Sequence, residues 1–204
     1  MRIESLAPAR RLRDCFQVTL EEGDPFLVTD RELLSFDLFA GAELDGERLA
    51  EVKAAANRSL ALRRAAALLA SRDLSRRELT DHLTRKGVSP EDAEAAADRM
   101  AELGVLNDAA CAAAWVRRGV ERGWGPRRVE AELFHRGIDR DTQREAMASV
   151  EDWTAVALSW LRRRGEDPAD PAARKKLADG LARRGFDWDC IHDALRVLEQ
   201  ERES

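Results

Sequence analysis

The chain has 204 residues, 36% of them charged and 44% hydrophobic, with a formal net charge of −5. Its longest apolar runs, around Ala65–Ala70 and Ala109–Val116, fall far short of the roughly 20 residues a bilayer requires, and no secretory signal is expected after Met1, so membrane and secreted classes are excluded. Three widely spaced cysteines, Cys15, Cys111 and Cys190, suit a reducing cytoplasm and exclude a disulfide framework.

In chain order, the first signal is alternation. Phe16-Gln17-Val18-Thr19-Leu20 carries apolar residues at every second position, as on a strand with one buried face. Glu21 to Pro25 supplies turn chemistry, Phe26-Leu27-Val28 returns as a partner strand, and Ile3 to Leu6 adds a third, weaker one. A lone hairpin is marginal in water, so this module is expected to pack on the helices that follow. Asp30 is read as the N-cap of a short helix through Leu33, Leu34 and Phe36, and Asp45 as the cap of another carrying Leu49 and Val52. From about Arg58 the period is helical to the end. Ser75-Arg76-Arg77-Glu78 is a capping box. Ser89-Pro90, Gly125-Pro126 and Asp170-Pro171 each place proline at a first helical position. Gly87, Gly137 and Gly185 follow helical runs ending in Lys or Arg, the mark of a left-handed C-cap.

Those three glycines are 50 and 48 residues apart and expose an internal repeat. Eight and four residues before them stand Leu79/Leu83, Val129/Leu133 and Leu177/Leu181. Lys86, Arg136 or Arg184 precedes each glycine, Val88, Ile138 or Phe186 follows it, and Met100, Val150 or Leu198 lies thirteen residues beyond. Each repeat reads as a helix, a second helix ending at glycine, and a third. One repeat buries too little alone, so three imply a stacked array. The expected fold is mostly α: tandem three-helix repeats in an elongated curved array, with a small N-terminal β-hairpin module. The expected divisions are residues 1–57 (hairpin module), 58–104, 105–150 and 151–204 (repeats one to three).

Catalytic signals are poor: no phosphate-cradling glycine loop, no His-Glu-x-x-His, and no convergent nucleophile, base or metal set. His82, His135 and His192 fall at different places in the repeats and are read as surface or boundary residues rather than ligands. Cys111 and Cys190 read as small core residues. Glu166, Asp167 and Asp170 are read as solvated charge on an exposed loop marked by Pro168 and Pro171. Asp139, Asp141, Asp187 and Asp189 are read as caps and first-turn acids. No enzyme activity, metal or cofactor is expected.

Charge is uneven. Residues 1–57 hold 7 cationic and 12 acidic side chains, residues 58–150 hold 17 and 15, and residues 151–204 hold 10 and 12. Thirty of the 34 cations are arginine, whose planar fork suits carboxylate or phosphate. Three clusters stand out: Arg72, Arg76, Arg77, Arg85 and Lys86; Arg117, Arg118, Arg122, Arg127 and Arg128 around Trp124; and Arg162, Arg163 and Arg164 with Lys175 and Lys176. Helical neighbours such as Glu121, Glu130, Glu132 and Asp81 are competing partners. Trp115, Trp153 and Trp160 fit core faces, and Trp188 is read as packing on the preceding repeat. Trp124, between two glycines, is read as partly exposed with a contact role.

These residues resemble the RecX family. The run Leu74-Ser75-Arg76-Arg77-Glu78-Leu79 through Leu83, Lys86 and Gly87 looks like its first repeat. Gly104-Val105-Leu106-Asn107-Asp108, Trp115-Val116-Arg117-Arg118, and Gly125-Pro126-Arg127-Arg128 through Gly137-Ile138 resemble the second. Arg183-Arg184-Gly185-Phe186-Asp187-Trp188 with Ile191, Ala194 and Leu195 is similar to the third. Asn107 stands where the family commonly has Asp, and Cys111 where it has an aromatic. The resemblance implies a non-enzymatic, monomeric cytoplasmic regulator of the RecA recombinase, acting in homologous recombination, DNA repair and the SOS response. Such a protein binds along the RecA–DNA nucleoprotein filament, with weaker contact to single- or double-stranded DNA, and mainly inhibits strand exchange, ATP hydrolysis and coprotease function. Its contact candidates are Arg72, Arg76, Arg77, Lys86, Arg117, Arg118, Arg122, Trp124, Arg127, Arg128, Arg163, Lys175, Lys176 and Arg184. The alternatives are a non-catalytic DNA-binding module of helix-turn-helix-like units, or a scaffold acting through residues 1–57.

Overall fold

The computed structural model describes residues 1–9, 12 and 14–203, with the backbone alone at 203. Three strands, β1 (Ile3–Pro8), β2 (Cys15–Leu20) and β3 (Phe26–Thr29), form an antiparallel sheet in that order. Ten helices are described: α1 (Asp30–Ser35), α2 (Gly46–Ser71), α3 (Arg76–Arg85), α4 (Pro90–Glu102), α5 (Asp108–Glu121), α6 (Pro126–His135), α7 (Arg140–Ala148), α8 (Trp153–Arg164), α9 (Pro171–Ala182) and α10 (Trp188–Glu203). None is long and apolar enough to cross a membrane. The chain divides into two compact units, residues 1–73 with 79–106, and residues 74–78 with 107–204.

In the first unit, alternation places Val18 and Leu20 inward, both buried, while Phe16 stays half-buried and Cys15 on the other face is buried as well. With Val18 and Leu20, the buried Ile3, Val28, Leu38, Leu44, Leu49, Val52 and Ala56 make one apolar cluster. The last three of these come from α2, which runs unbroken across the expected division at residue 57. Nothing between Asp45, whose carboxylate caps the helix through the Arg48 amide at 2.8 Å, and Arg72 breaks the helical hydrogen-bonding pattern. The hairpin module and the first repeat therefore share a single 26-residue helix.

Thr29 rather than Asp30 is the N-cap of α1, and Glu32 completes a capping box that the sequence reading missed. The Glu32 carboxylate is 2% exposed. It accepts from the Thr29 amide (3.0 Å), the Thr29 hydroxyl (2.6 Å) and, across to α2, the Ser59 hydroxyl (2.7 Å). Burial alone raises its pKa, but these donors more than offset that and hold it below its ordinary value.

The three triples are built alike: α2 packs on α4, α5 on α7, and α8 on α10. Leu79, Leu83, Val129, Leu133, Leu177 and Leu181 are all 0–1% exposed, so the periodic pair before each glycine is the core face of the middle helix. Gly87, Gly137 and Gly185 have φ of +82°, +71° and +88°, the left-handed conformation glycine adopts without a Cβ penalty. Val150 departs from its counterparts: α7 ends at Ala148, so Val150 is half-buried past the helix end rather than on it.

Glu32→Gln is expected to cost about 1–2 kcal/mol at pH 7, because a neutral amide accepts more weakly and brings donors that find no partner there. The depressed folded pKa makes this contribution complete above the unfolded value and lost as pH falls through the folded one. Denaturant unfolding of both proteins from pH 7 to 3 should show the gap closing on the acid side.

Candidate functional site

Within the second unit one packing arrangement, a helix start on a glycine turn, occurs twice. The start of α3 packs on the turn that closes α6: the Ser75 hydroxyl donates to the Arg136 carbonyl at 2.5 Å, and the Arg77 side chain fills the space beside Gly137. Twelve residues before each following glycine, Gly125 takes the place of Ser75. There the start of α6 packs on the turn that closes α9: the Gly125 amide donates to the Arg184 carbonyl at 2.8 Å and the Arg127 amide to the Gly185 carbonyl at 3.1 Å. A Cβ on Gly185 would lie 2.5 Å from the Arg128 backbone nitrogen, and one on Gly125 would lie 2.5 Å from the carbonyl carbon of Gly185. These two glycines exist for close approach. Gly87 has nothing within 4 Å of the same position.

The arginine before each covered glycine lies on a tryptophan from the first helix of its own triple. The Arg136 guanidinium is 3.4 Å from the Trp115 ring centroid, and Arg184 is 4.3 Å from Trp160. In the first case the charge is answered: Arg136 pairs with Glu78, whose other oxygen accepts from the Ser75 amide at 3.0 Å in the capping box. The second case has no such acid. Arg164 is a further 4.7 Å contact on Trp160. Arg122 and Arg128 lie 5.3 and 4.3 Å from the Trp124 ring, and Arg163 reaches the space beside Gly123. None of Arg122, Arg128, Arg163, Arg164, Arg183 and Arg184 pairs with a carboxylate among the described residues. Burial first, then Arg164, Arg128, Arg183 and Arg163, hold the Arg184 pKa below its usual value. The Arg184 Nε is buried with no acceptor. This is a concentrated, uncompensated positive face on a chain whose net charge is negative.

The clusters read from sequence are thus rearranged. Arg122, Trp124 and Arg128 stay together and are joined by Arg163 and Arg164 from another of the sequence clusters and by Arg184, with Arg183 added by the fold. Arg162, by contrast, pairs with Glu201. Lys176 pairs with Glu166 at 2.8 Å, while Lys175 is exposed. Arg117 is exposed on α5, and Arg118 lies 5.2 Å from Trp115. Arg127 lines a cleft between α6 and α7 with Phe134, Arg140, Arg144 and Met147. Arg76 donates its amide to Asp108 at 2.8 Å, and Arg77 is committed to Gly137. Arg72, the α2 C-cap, and Lys86 are exposed and belong to the first unit. Trp188 is 58% exposed, not packed away as expected; its ring meets His192 edge-on at 6.3 Å. The role of Arg136 was missed, because in sequence it signals only a helix end.

Among the described residues no group of three or more His, Cys, Asp or Glu could hold a metal ion. Asp139 and Asp187 cap α7 and α10, Asp170 caps α9, and Asp167 pairs with Arg202 at 3.5 Å. Pro168 is buried, so that loop is anchored rather than fully exposed. Asn107 caps α5 through the Ala110 amide at 3.0 Å, and Cys111 is 4% exposed in the α5–α7 core.

Comparison with known proteins is decisive for the family. Models of the first, second and third three-helix domains of RecX match residues 61–100, 107–147 and 151–195 in that order. The chain belongs to the RecX family. It is 46% identical over 138 residues to the regulatory protein RecX of Xanthomonas campestris pv. campestris (strain B100), covering 66% of this chain and 85% of that one. It is equally identical, over the same shares, to that of Stenotrophomonas maltophilia (strain R551-3). A crystal structure of a regulatory protein RecX shares the fold at a TM-score of 0.66 and 21% identity, over 94% of this chain and 97% of that one. The crystal structure of RecX from Lactobacillus salivarius does so at 0.61 and 19%, over 71% and 97%. The family is thus one of named regulatory proteins built from tandem three-helix domains.

The two kinds of glycine separate the close contact from mere backbone conformation. Gly87→Ala is expected to cost only the positive-φ penalty of about 1–2 kcal/mol. Gly185→Ala adds overpacking against the Arg128 backbone and should cost at least about 3 kcal/mol in all. Urea unfolding of the two variants checks the ranking.

Proposed function

We propose that this chain regulates a RecA recombinase by binding along the RecA–DNA filament as a monomer in the cytoplasm. Bridging neighbouring protomers, it obstructs filament growth and lowers strand exchange, ATP hydrolysis and coprotease activity, and so damps homologous recombination, DNA repair and the SOS response. It has no catalysis, cofactor or metal of its own. The observation that carries this reading is the succession of three RecX domains across residues 61–195.

Two physical features support it. A net charge of −5 disfavours naked duplex as the whole target, since duplex affinity scales with the number of phosphates neutralised. One dense arginine face on an otherwise acidic chain suits a mixed protein and nucleic-acid surface. Within the second unit that face is Arg122, Arg128, Arg163, Arg164 and Arg184, and these side chains are the proposed filament contacts.

RecA assembled on single-stranded DNA with ATP provides the test. Stoichiometric addition of this protein should shorten filaments and lower ATP turnover, and Arg128→Glu with Arg163→Glu should raise the concentration needed by about tenfold or more. Unchanged ATPase and filament length in excess protein would contradict the proposal. Tight duplex binding without RecA, falling steeply with salt, would favour the DNA-binding module instead.

A further inference from the structure

The two packed turns differ most sharply in one exchanged charge. Three residues after Ser75 stands Glu78, and three residues after Gly125 stands Arg128. The remaining parts correspond: Arg136 with Arg184, Trp115 with Trp160, and Gly137 with Gly185. At the α6 turn the Glu78 carboxylate neutralises the Arg136 guanidinium over the Trp115 ring, while Arg136 Nε and Trp115 Nε1 are buried without a hydrogen-bond partner. At the α9 turn Arg128 stands in place of the acid, with its backbone and Cβ against Gly185 and its guanidinium 4.3 Å from the Trp124 ring; Arg164 shares Trp160 with Arg184, and Arg163 lies beside Gly123. A like-charged cluster in partial burial is costly unless a counter-ion offsets it. Arg184 Nε, like Arg136 Nε, is buried without an acceptor, so the difference lies in the outer nitrogens: Arg136 Nη1 has the Glu78 carboxylate, whereas Arg184 Nη1 has only the Gly180 carbonyl, at 3.2 Å.

We infer that the α6–α9 contact is a binding site for a phosphate oxyanion, which Arg128 and Arg184 hold where the α3–α6 contact carries the Glu78 carboxylate. Arg163 and Arg164 complete the ring of donors. A free tetrahedral phosphate offers acceptor oxygens to all four forks, and successive links of a single strand offer two non-bridging oxygens each, where one side-chain carboxylate offers two in all. The phosphate is free or is one link of a single strand. For the strand, Trp188, exposed three residues beyond Gly185, offers an aromatic face to a base. The site needs only this chain, so it stands or falls apart from the filament reading.

The test uses the full chain without RecA. Thermal unfolding is followed in sodium phosphate and in sodium chloride of equal ionic strength, and binding of a labelled oligothymidylate is followed by anisotropy. Arg128→Glu rebuilds the ion pair of the α3–α6 contact, Arg128→Gln removes the charge alone, and Arg144→Glu is a control on an exposed position of α7. Phosphate should raise the melting temperature of the wild type and of Arg144→Glu above chloride, and of neither Arg128 variant. Arg128→Glu in chloride should melt at or above the wild type. A strand as ligand predicts that both Arg128 variants weaken oligothymidylate about tenfold or more, with Arg144→Glu within about twofold. A phosphate shift with oligothymidylate binding equal in all four proteins assigns the site to free phosphate. Equal melting in the two salts together with equal oligothymidylate binding overturns the inference, as does tighter binding of polyglutamate than of oligothymidylate.

Discussion

A helix start laid on a glycine turn is the contact on which the second unit depends. A helix N-terminus carries amide donors with no partner in its own helix, and a helix C-terminus carries carbonyls in the same position. Joining one to the other satisfies both, but only where no side chain intervenes. Glycine at the turn provides that room and also adopts the left-handed conformation that ends the helix. The Arg184 carbonyl, the Gly125 amide and the bare Cα of Gly185 are three parts of one arrangement. The same residue that terminates a helix thereby admits the next element.

Around this backbone contact the side chains differ. Where Ser75 and Glu78 supply the donor and the counter-charge, the charge is answered within the chain, and Arg136 is engaged in holding the fold. Where Gly125 and Arg128 stand instead, the backbone does the joining and the guanidinium groups are left over. Aromatic faces keep them in place: Trp124 and Trp160 each carry two arginines, and cation–π attraction stabilises a charge without neutralising it. One of these sites answers its charge within the chain, and the other leaves it without a carboxylate among the described residues.

Much of the fold was legible because it is governed by local rules. Hydroxyl or carboxylate caps, proline at first turns and glycine after a basic last turn fixed most helix ends, and a leucine or valine pair before each glycine marked the buried faces. The unbroken α2 was less legible, since Asp45 and the stretch after Arg58 read as two helices when the intervening alanines carry little periodicity. The site was legible in composition and not in grouping. Lys176 and Arg162 find Glu166 and Glu201 from other elements, whereas Arg164 and Arg184, separated by a loop and a helix, come to the same tryptophan. Trp188 shows the limit in the other direction: its flanking aspartates marked a helix start, but nothing local says whether a neighbour covers it.

Native-state hydrogen exchange at the Gly125 and Arg127 amides is the most direct test of the backbone contact. Their acceptors lie in the α9 turn, so the account predicts that both open with the same free energy as the cores of α6 and α9 and lose protection in Gly185→Ala. Exchange at the rate of an exposed loop while α6 and α9 remain protected would contradict it.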